Sequence, residues 1–150
     1  MRQVNQRIGL LSILFTCAFT ATNSPAPGET PGTGDNSNQR EVMLISQDFS
    51  DCSNGNVSAG DPGQRGIALV ARGADGITRV KVAMTVTPNT TYHFFLKCVR
   101  QLGDITTQDE GEGFGTFEFP TNSVGNVYAF DMYPEGAPPG NKFQSVQVKF

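Results

Sequence analysis

An acidic, glycine-containing segment holds the densest group of potentially reactive side chains in this 150-residue chain. It carries four carboxylates within nine positions: Asp104, Asp109, Glu110 and Glu112. Calcium binds oxygen ligands on flexible loops, so Asp104, Asp109 and Glu112 are candidate metal ligands. Their spacing differs from that of an EF-hand loop. A pair such as Asp109 and Glu112 could instead act as acid and base in an enzyme. A solvated acidic hairpin explains the same residues without any ligand.

The single histidine, His93, limits the other chemistry that this chain could support. A blue-copper centre needs two histidines and a cysteine. A Ser-His-acid triad needs a nucleophile beside the histidine, and the sequence contains no nucleophile-elbow motif. We therefore expect His93 to be a solvent-facing residue on a strand, and we assign no catalytic residue and no cofactor.

The N-terminus has the layout of a secretory signal peptide. Arg2 and Arg7 precede an apolar run from Ile8 to Phe15, which is the order of a positive region and a short apolar region. The run is shorter than the roughly 20 residues that span a bilayer. Residues 1–21 are therefore predicted to direct export, and no transmembrane span is expected.

Cys17 gives this signal a second interpretation. The segment Leu14-Phe15-Thr16-Cys17 resembles a bacterial lipoprotein processing site, which implies that Cys17 becomes the lipidated first residue of the mature protein. The alternative is ordinary cleavage near Ala21, with Cys17 removed. Residues 22–39 contain no large apolar side chain, so they are predicted to form a flexible linker between an anchor and the folded domain, residues 40–150.

The two remaining cysteines, Cys52 and Cys98, are predicted to form a disulfide. Two cysteines within one exported domain usually pair, because the compartments outside the cytosol are oxidising. Cys98 is expected on the apolar face of the strand that begins at Tyr92. The alternative is a pair of buried free thiols.

The folded part is predicted to be all-β. Val80, Val82 and Met84 alternate with polar neighbours, which is the pattern of a strand with one buried face. Seventeen glycines and nine prolines favour short strands and many turns. Similar runs, separated by turn residues, predict about seven strands, near residues 41–49, 65–72, 77–87, 92–102, 114–120, 126–133 and 142–150.

The segment Val86 to Tyr92, VTPNTTY, is the most distinctive local motif. It resembles the strand-to-strand corner of fibronectin type III and related immunoglobulin-like domains. The resemblance implies that the Tyr92 ring packs in the core and that its hydroxyl bonds to the upstream backbone. Residues 106–113 also resemble a turn of small secreted bacterial sandwich domains. The predicted fold is an antiparallel immunoglobulin-like β-sandwich of about seven strands.

Charge and motifs together indicate a class of function. A net charge of −3 offers no basic surface for nucleic acid. We expect a non-enzymatic binding or structural module at the cell surface, either lipid-anchored in the cell envelope or secreted, with a protein or glycan partner. The alternative is a calcium- or carbohydrate-binding module that uses residues 104–112. An enzyme with paired carboxylates is the third possibility.

Overall fold

The computed structural model describes residues 36–57, 64–138 and 140–150, which lie within the unit Gly34–Phe150. Two 3₁₀ turns cover Asn36–Asn38 and Thr121–Ser123. The strands are β1 (Gln39–Ser46), β2 (Gln64–Arg72), β3 (Ile77–Thr85), β4 (Thr91–Leu96), β5 (Arg100–Thr106), β6 (Glu112–Pro120), β7 (Val127–Tyr128), β8 (Phe130–Pro134), β9 (Phe143–Ser145) and β10 (Val148–Lys149).

Eight of the described strands form one antiparallel sheet, in the order β5-β4-β8-β9-β1-β2-β3-β6, and β7 pairs with β10. The all-β prediction is therefore confirmed. The predicted count of seven strands is lower than the ten strands observed, because three of the predicted segments each divide into two. Residues 92–102, for example, form β4 and β5, which pair with each other as a hairpin.

The hairpin turn between β4 and β5 explains why the predicted strand at residues 92–102 divides into two. Val99 N–H donates to the Leu96 carbonyl at 2.9 Å, and Cys98 adopts a positive φ of 59°. A non-glycine residue rarely adopts this left-handed conformation within a strand. Cys98 therefore lies in an exposed turn, and the expectation that it occupies the apolar face of the Tyr92 strand is wrong.

Alternation along the strands places the apolar side chains in one core. Val80, Val82 and Met84 are buried on β3, as the spacing predicted, whereas their neighbours Arg79 and Lys81 are exposed. Aromatic rings fill the centre of the core. The Phe94 ring stacks on Phe117 with centroids 4.9 Å apart and on Phe130 at 5.1 Å, which are favourable separations for aromatic pairs.

The two edge strands of the large sheet, β5 and β6, pack against each other without a hydrogen-bonded ladder. Glycines allow this approach. A Cβ on Gly103 of β5 would lie 2.8 Å from Phe117 Cε1, and a Cβ on Gly115 of β6 would lie 2.9 Å from Ile105 Cγ1. The sheet is therefore nearly closed and barrel-like, which differs from two separate layers of a seven-stranded sandwich.

Tyr92 has the predicted position but a different hydrogen bond. Its side chain is fully buried at the start of β4. Its hydroxyl donates to Asn141 Oδ1 at 3.4 Å, and the same oxygen accepts a hydrogen bond from Thr87 Oγ1 at 2.9 Å. The expected bond to the upstream backbone is replaced by a side chain that lies 49 residues downstream.

Candidate functional site

The Cys52–Cys98 disulfide is present, as predicted. The Cα atoms of the two cysteines are 5.5 Å apart, and the bridge joins the loop after β1 to the β4–β5 turn across 46 positions of sequence. Both cysteines are exposed. The bridge brings their sequence neighbours together as well, and those neighbours form the polar cluster described below.

The three candidate metal ligands lie on two strands and the turn that connects them. Asp104 is on β5, Asp109 is in the turn, and Glu112 begins β6. The turn is closed by a hydrogen bond from Gln108 N–H to the Glu112 carbonyl at 2.9 Å. Across the residues that the structure describes, no three His, Cys, Asp or Glu side chains converge as a metal site. Asp104 instead accepts a hydrogen bond from Gln101 Nε2 at 2.6 Å.

His93 is held by carboxylates rather than simply facing solvent. Its Nδ1 is 2.7 Å from Asp104 Oδ1, its Nε2 is 3.3 Å from Glu135 Oε2, and its side chain is 26% exposed. The hydrogen bond with Asp104 is the largest cause of a raised His93 pKa, and Glu135 acts in the same direction. Both ring nitrogens are thus engaged with acidic partners, which favours the charged imidazolium.

An apolar row crosses the outer face of four neighbouring strands. Met43 on β1 is opposite Ile67 on β2, Ile67 is opposite Ala83 on β3, and Ala83 is opposite Phe114 on β6. Leu69 lies in the adjacent row on β2. The exposed fractions of Phe114, Leu69 and Met43 are 66%, 45% and 37%. We call these five residues the outer apolar face.

Charged and polar residues border this face. An open groove of about 730 Å³ runs along Phe114 and is lined by Arg65, Thr85 and Glu112. A second groove of about 340 Å³ is lined by Leu69, Phe114 and Lys81. An apolar centre with a polar rim of mixed charge is the composition of a protein-binding surface.

A buried polar cluster beside β4, β8 and β9 was missed by sequence reasoning. Lys97, which follows β4, is only 6% exposed. Its Nζ donates to the Phe49 carbonyl at 2.6 Å and to Asn54 Oδ1. Asn54 is fully buried, has a positive φ of 53°, and donates from Nδ2 to the Ser145 carbonyl at 2.9 Å.

Asp131 of β8 completes the cluster. Its Oδ1 lies 3.6 Å from Lys97 Nζ, and this buried oxygen accepts no hydrogen bond from the described residues. Burial raises the Asp131 pKa to about 6. The sequence held one signal for this cluster, since Lys97 precedes Cys98 and Asn54 lies two residues after Cys52. A predicted disulfide therefore also predicts that the amine and the amide are close.

The predicted signal peptide, Cys17 and most of the predicted linker lie outside the described residues. No helix within residues 36–57, 64–138 and 140–150 has the length and apolar character needed to cross a membrane. Comparison of the chain with protein-family models finds no matching family, and comparison with curated proteins finds no significant match.

Proposed function

We propose that this protein is an exported, membrane-tethered, non-enzymatic binding module that engages a protein partner at the cell surface through its outer apolar face. The observation that carries the proposal is the apolar row from Met43 to Phe114 across four adjacent strands, with the large side chains at both of its ends exposed to solvent. Contiguous exposed apolar surface is costly in water, and in stable proteins it marks interaction sites.

The polar clusters support a binding role over catalysis. Both nitrogens of the single histidine are occupied by Asp104 and Glu135, so neither is placed to take a proton from a hydroxyl nucleophile. Asp109 and Glu112 lie at the turn and at the strand start, where they are exposed to solvent. Such carboxylates lack the burial that tunes acid–base pairs in enzymes.

Export and tethering are supported by separate observations. The Cys52–Cys98 bridge suits an oxidising compartment, because disulfides are rare in the cytosol. The arginines and the apolar run before Cys17 supply the export signal, and the polar segment that follows would hold the domain away from a membrane surface. Mass spectrometry of the N-terminal peptide tests the anchor. A lipidated Cys17 supports it, and a mature terminus at Thr22 contradicts it.

Whether the outer apolar face binds a partner is tested by measuring how the purified protein binds to envelope fractions of the cells that make it. Phe114→Ser should weaken binding at least about tenfold, because central aromatic residues dominate interface energies. Val127→Ser is the matched control, since Val127 is an exposed apolar residue on β7, outside the outer apolar face. Equal affinities of the two variants would contradict the proposal. Competition by soluble glycans, with Phe114→Ser unaffected, would favour the carbohydrate alternative.

A further inference from the structure

The Lys97 amine and the Asn54 side-chain amide are in direct contact in a buried site beside Asp131. We propose that Lys97 and Asn54 form an intramolecular amide cross-link, with loss of ammonia, and that Asp131 relays the protons. The inference concerns a self-modification of the domain and is independent of the proposed partner. It arises from three side chains that the strands and the disulfide bring together.

Both reacting groups are held in place by independent contacts. The Lys97 amine is fixed by the Phe49 carbonyl, and the Asn54 amide is fixed by the Ser145 carbonyl. The Cys52–Cys98 bridge joins the two segments within two residues of each reacting side chain. Such positioning turns an encounter that is slow in solution into a unimolecular step, and well-oriented intramolecular reactions gain effective molarities of about 10⁵ M or more.

Asp131 has the position and the free acceptor that a proton relay needs. Its Oδ1 faces Lys97 Nζ at 3.6 Å and is not used by another hydrogen bond from the described residues. The raised Asp131 pKa, about 6, lets the carboxyl group exchange protons near neutral pH. A structural ion pair would instead be expected at hydrogen-bonding distance, because desolvating two charges is compensated only by close geometry.

The two reacting side chains are shielded from solvent. Lys97 and Asn54 are buried, and the neighbouring Phe95 stacks on Tyr133 with centroids 4.8 Å apart. Phe95 is also directly opposite Asp131 on the adjacent strand. Passing a proton from the ammonium to the carboxylate replaces two buried charges by two neutral groups, and a desolvated environment favours this exchange. The resulting neutral amine is the nucleophile.

The reaction balances without a further reagent. Lys97 Nζ attacks Asn54 Cγ, a new Nζ–Cγ bond forms, and the Cγ–Nδ2 bond breaks. Nζ loses two protons, and Nδ2 leaves with both of them as an ammonium ion. The Asp131 carboxylate passes each proton on and returns to its starting state. No atom is oxidised or reduced, and the product is an ordinary secondary amide.

Mass spectrometry of the full chain, purified from a compartment where the disulfide forms and then reduced and unfolded, tests the proposal. We expect a mass one ammonia below that of the same chain without the cross-link. After trypsin, a branched peptide should join the segment of Asn54 to the segment of Lys97, with no cleavage after Lys97. The proposal would be overturned if the measured mass equals the mass calculated for the chain without the cross-link and trypsin cleaves after Lys97.

Different variants test the Lys97–Asn54 amide and the role of Asp131 in its formation. Lys97→Arg should show no mass loss of one ammonia and yield no branched peptide. Asp131→Asn should give the same result. Lys81→Arg and Asp75→Asn are matched controls, because both residues are exposed on or just before β3, away from the site, and both variants should leave the cross-link intact. An intact Cys52–Cys98 disulfide in each variant reports that it has folded. Full cross-linking in Asp131→Asn would overturn the relay.

Discussion

The His93 imidazole lies between two carboxylates, with Nδ1 2.7 Å from Asp104 Oδ1 and Nε2 3.3 Å from Glu135 Oε2. The three residues come from β4, β5 and the segment after β8, so the contacts join three neighbouring parts of the sheet. The folded state therefore favours the protonated ring, and the His93 pKa is raised above its usual value, mainly by Asp104.

His93→Gln should lower the free energy of unfolding more at acidic pH than at alkaline pH. A group with a raised folded-state pKa contributes its full stabilisation below its unfolded pKa, near 6.5, and loses it as the pH rises through the folded pKa. Denaturant unfolding of both proteins at about pH 5 and pH 9 measures this difference. A stability gap that is constant, or that widens toward pH 9, would contradict the assigned ion pairs.

Loss of the disulfide should have little effect in the wild type and a large effect in Lys97→Arg. In the chain-entropy account, a bridge that closes a loop of this length stabilises by about 4 kcal/mol. A Lys97–Asn54 amide would close nearly the same loop, so the two cross-links are redundant and their losses are not additive. Unfolding of the wild type and of Lys97→Arg, each purified with the disulfide formed and then measured before and after its reduction, gives the coupling, because any cross-link has already formed when the disulfide is reduced. Equal costs in the two backgrounds would show that a second cross-link is absent.

Gly115→Ala should destabilise the fold by about 1–3 kcal/mol, since the added methyl group overpacks a filled space. Its Cβ would lie 2.7 Å from Phe117 Cε2 and 2.9 Å from Ile105 Cγ1, where β5 and β6 meet. Gly125→Ala is the control, because a Cβ there has no neighbour within 4 Å. Thermal unfolding of both variants is the measurement, and equal effects would contradict the close packing of the two edge strands.

Calcium should leave the melting temperature of the protein unchanged. Asp104 is engaged by His93 and Gln101, whereas Asp109 lies in the exposed turn. A ligand that binds only the folded state raises its stability with concentration. Thermal unfolding with calcium and with a chelator tests this expectation. A calcium-dependent rise that is lost in Asp109→Ala would restore the metal-binding alternative.

Alternation made much of the fold predictable from sequence. Val80, Val82 and Met84 are buried on β3, and Tyr92 and Phe94 on β4, because a two-residue period determines which face of a strand is apolar. The division at Cys98 was not predictable in the same way. Apolar residues recur as far as Val99, and the turn is evident only in the structure, from the positive φ of Cys98 and the hydrogen bond between Val99 and Leu96.

The features that the sequence did not predict depend on contacts between residues that are far apart in the sequence. Near-closure of the sheet depends on glycines of β5 and β6 that face Phe117 and Ile105, and the sequence pattern marks those glycines only as turn or strand-breaking residues. Likewise, Asp131 reaches Lys97 because β8 pairs with β4, a pairing between strands that are not consecutive. Local periodicity carries no information about such partners.

Photo-crosslinking in the cells that make the protein tests its central claim, that the outer apolar face binds a partner, most directly. A photoreactive residue replaces Phe114 in one variant and Val99, an exposed apolar residue of the β4–β5 turn, in another. We predict one discrete protein adduct from position 114, lost on adding Leu69→Ser, and none from position 99. No adduct from position 114, or the same adducts from both positions, would contradict the claim.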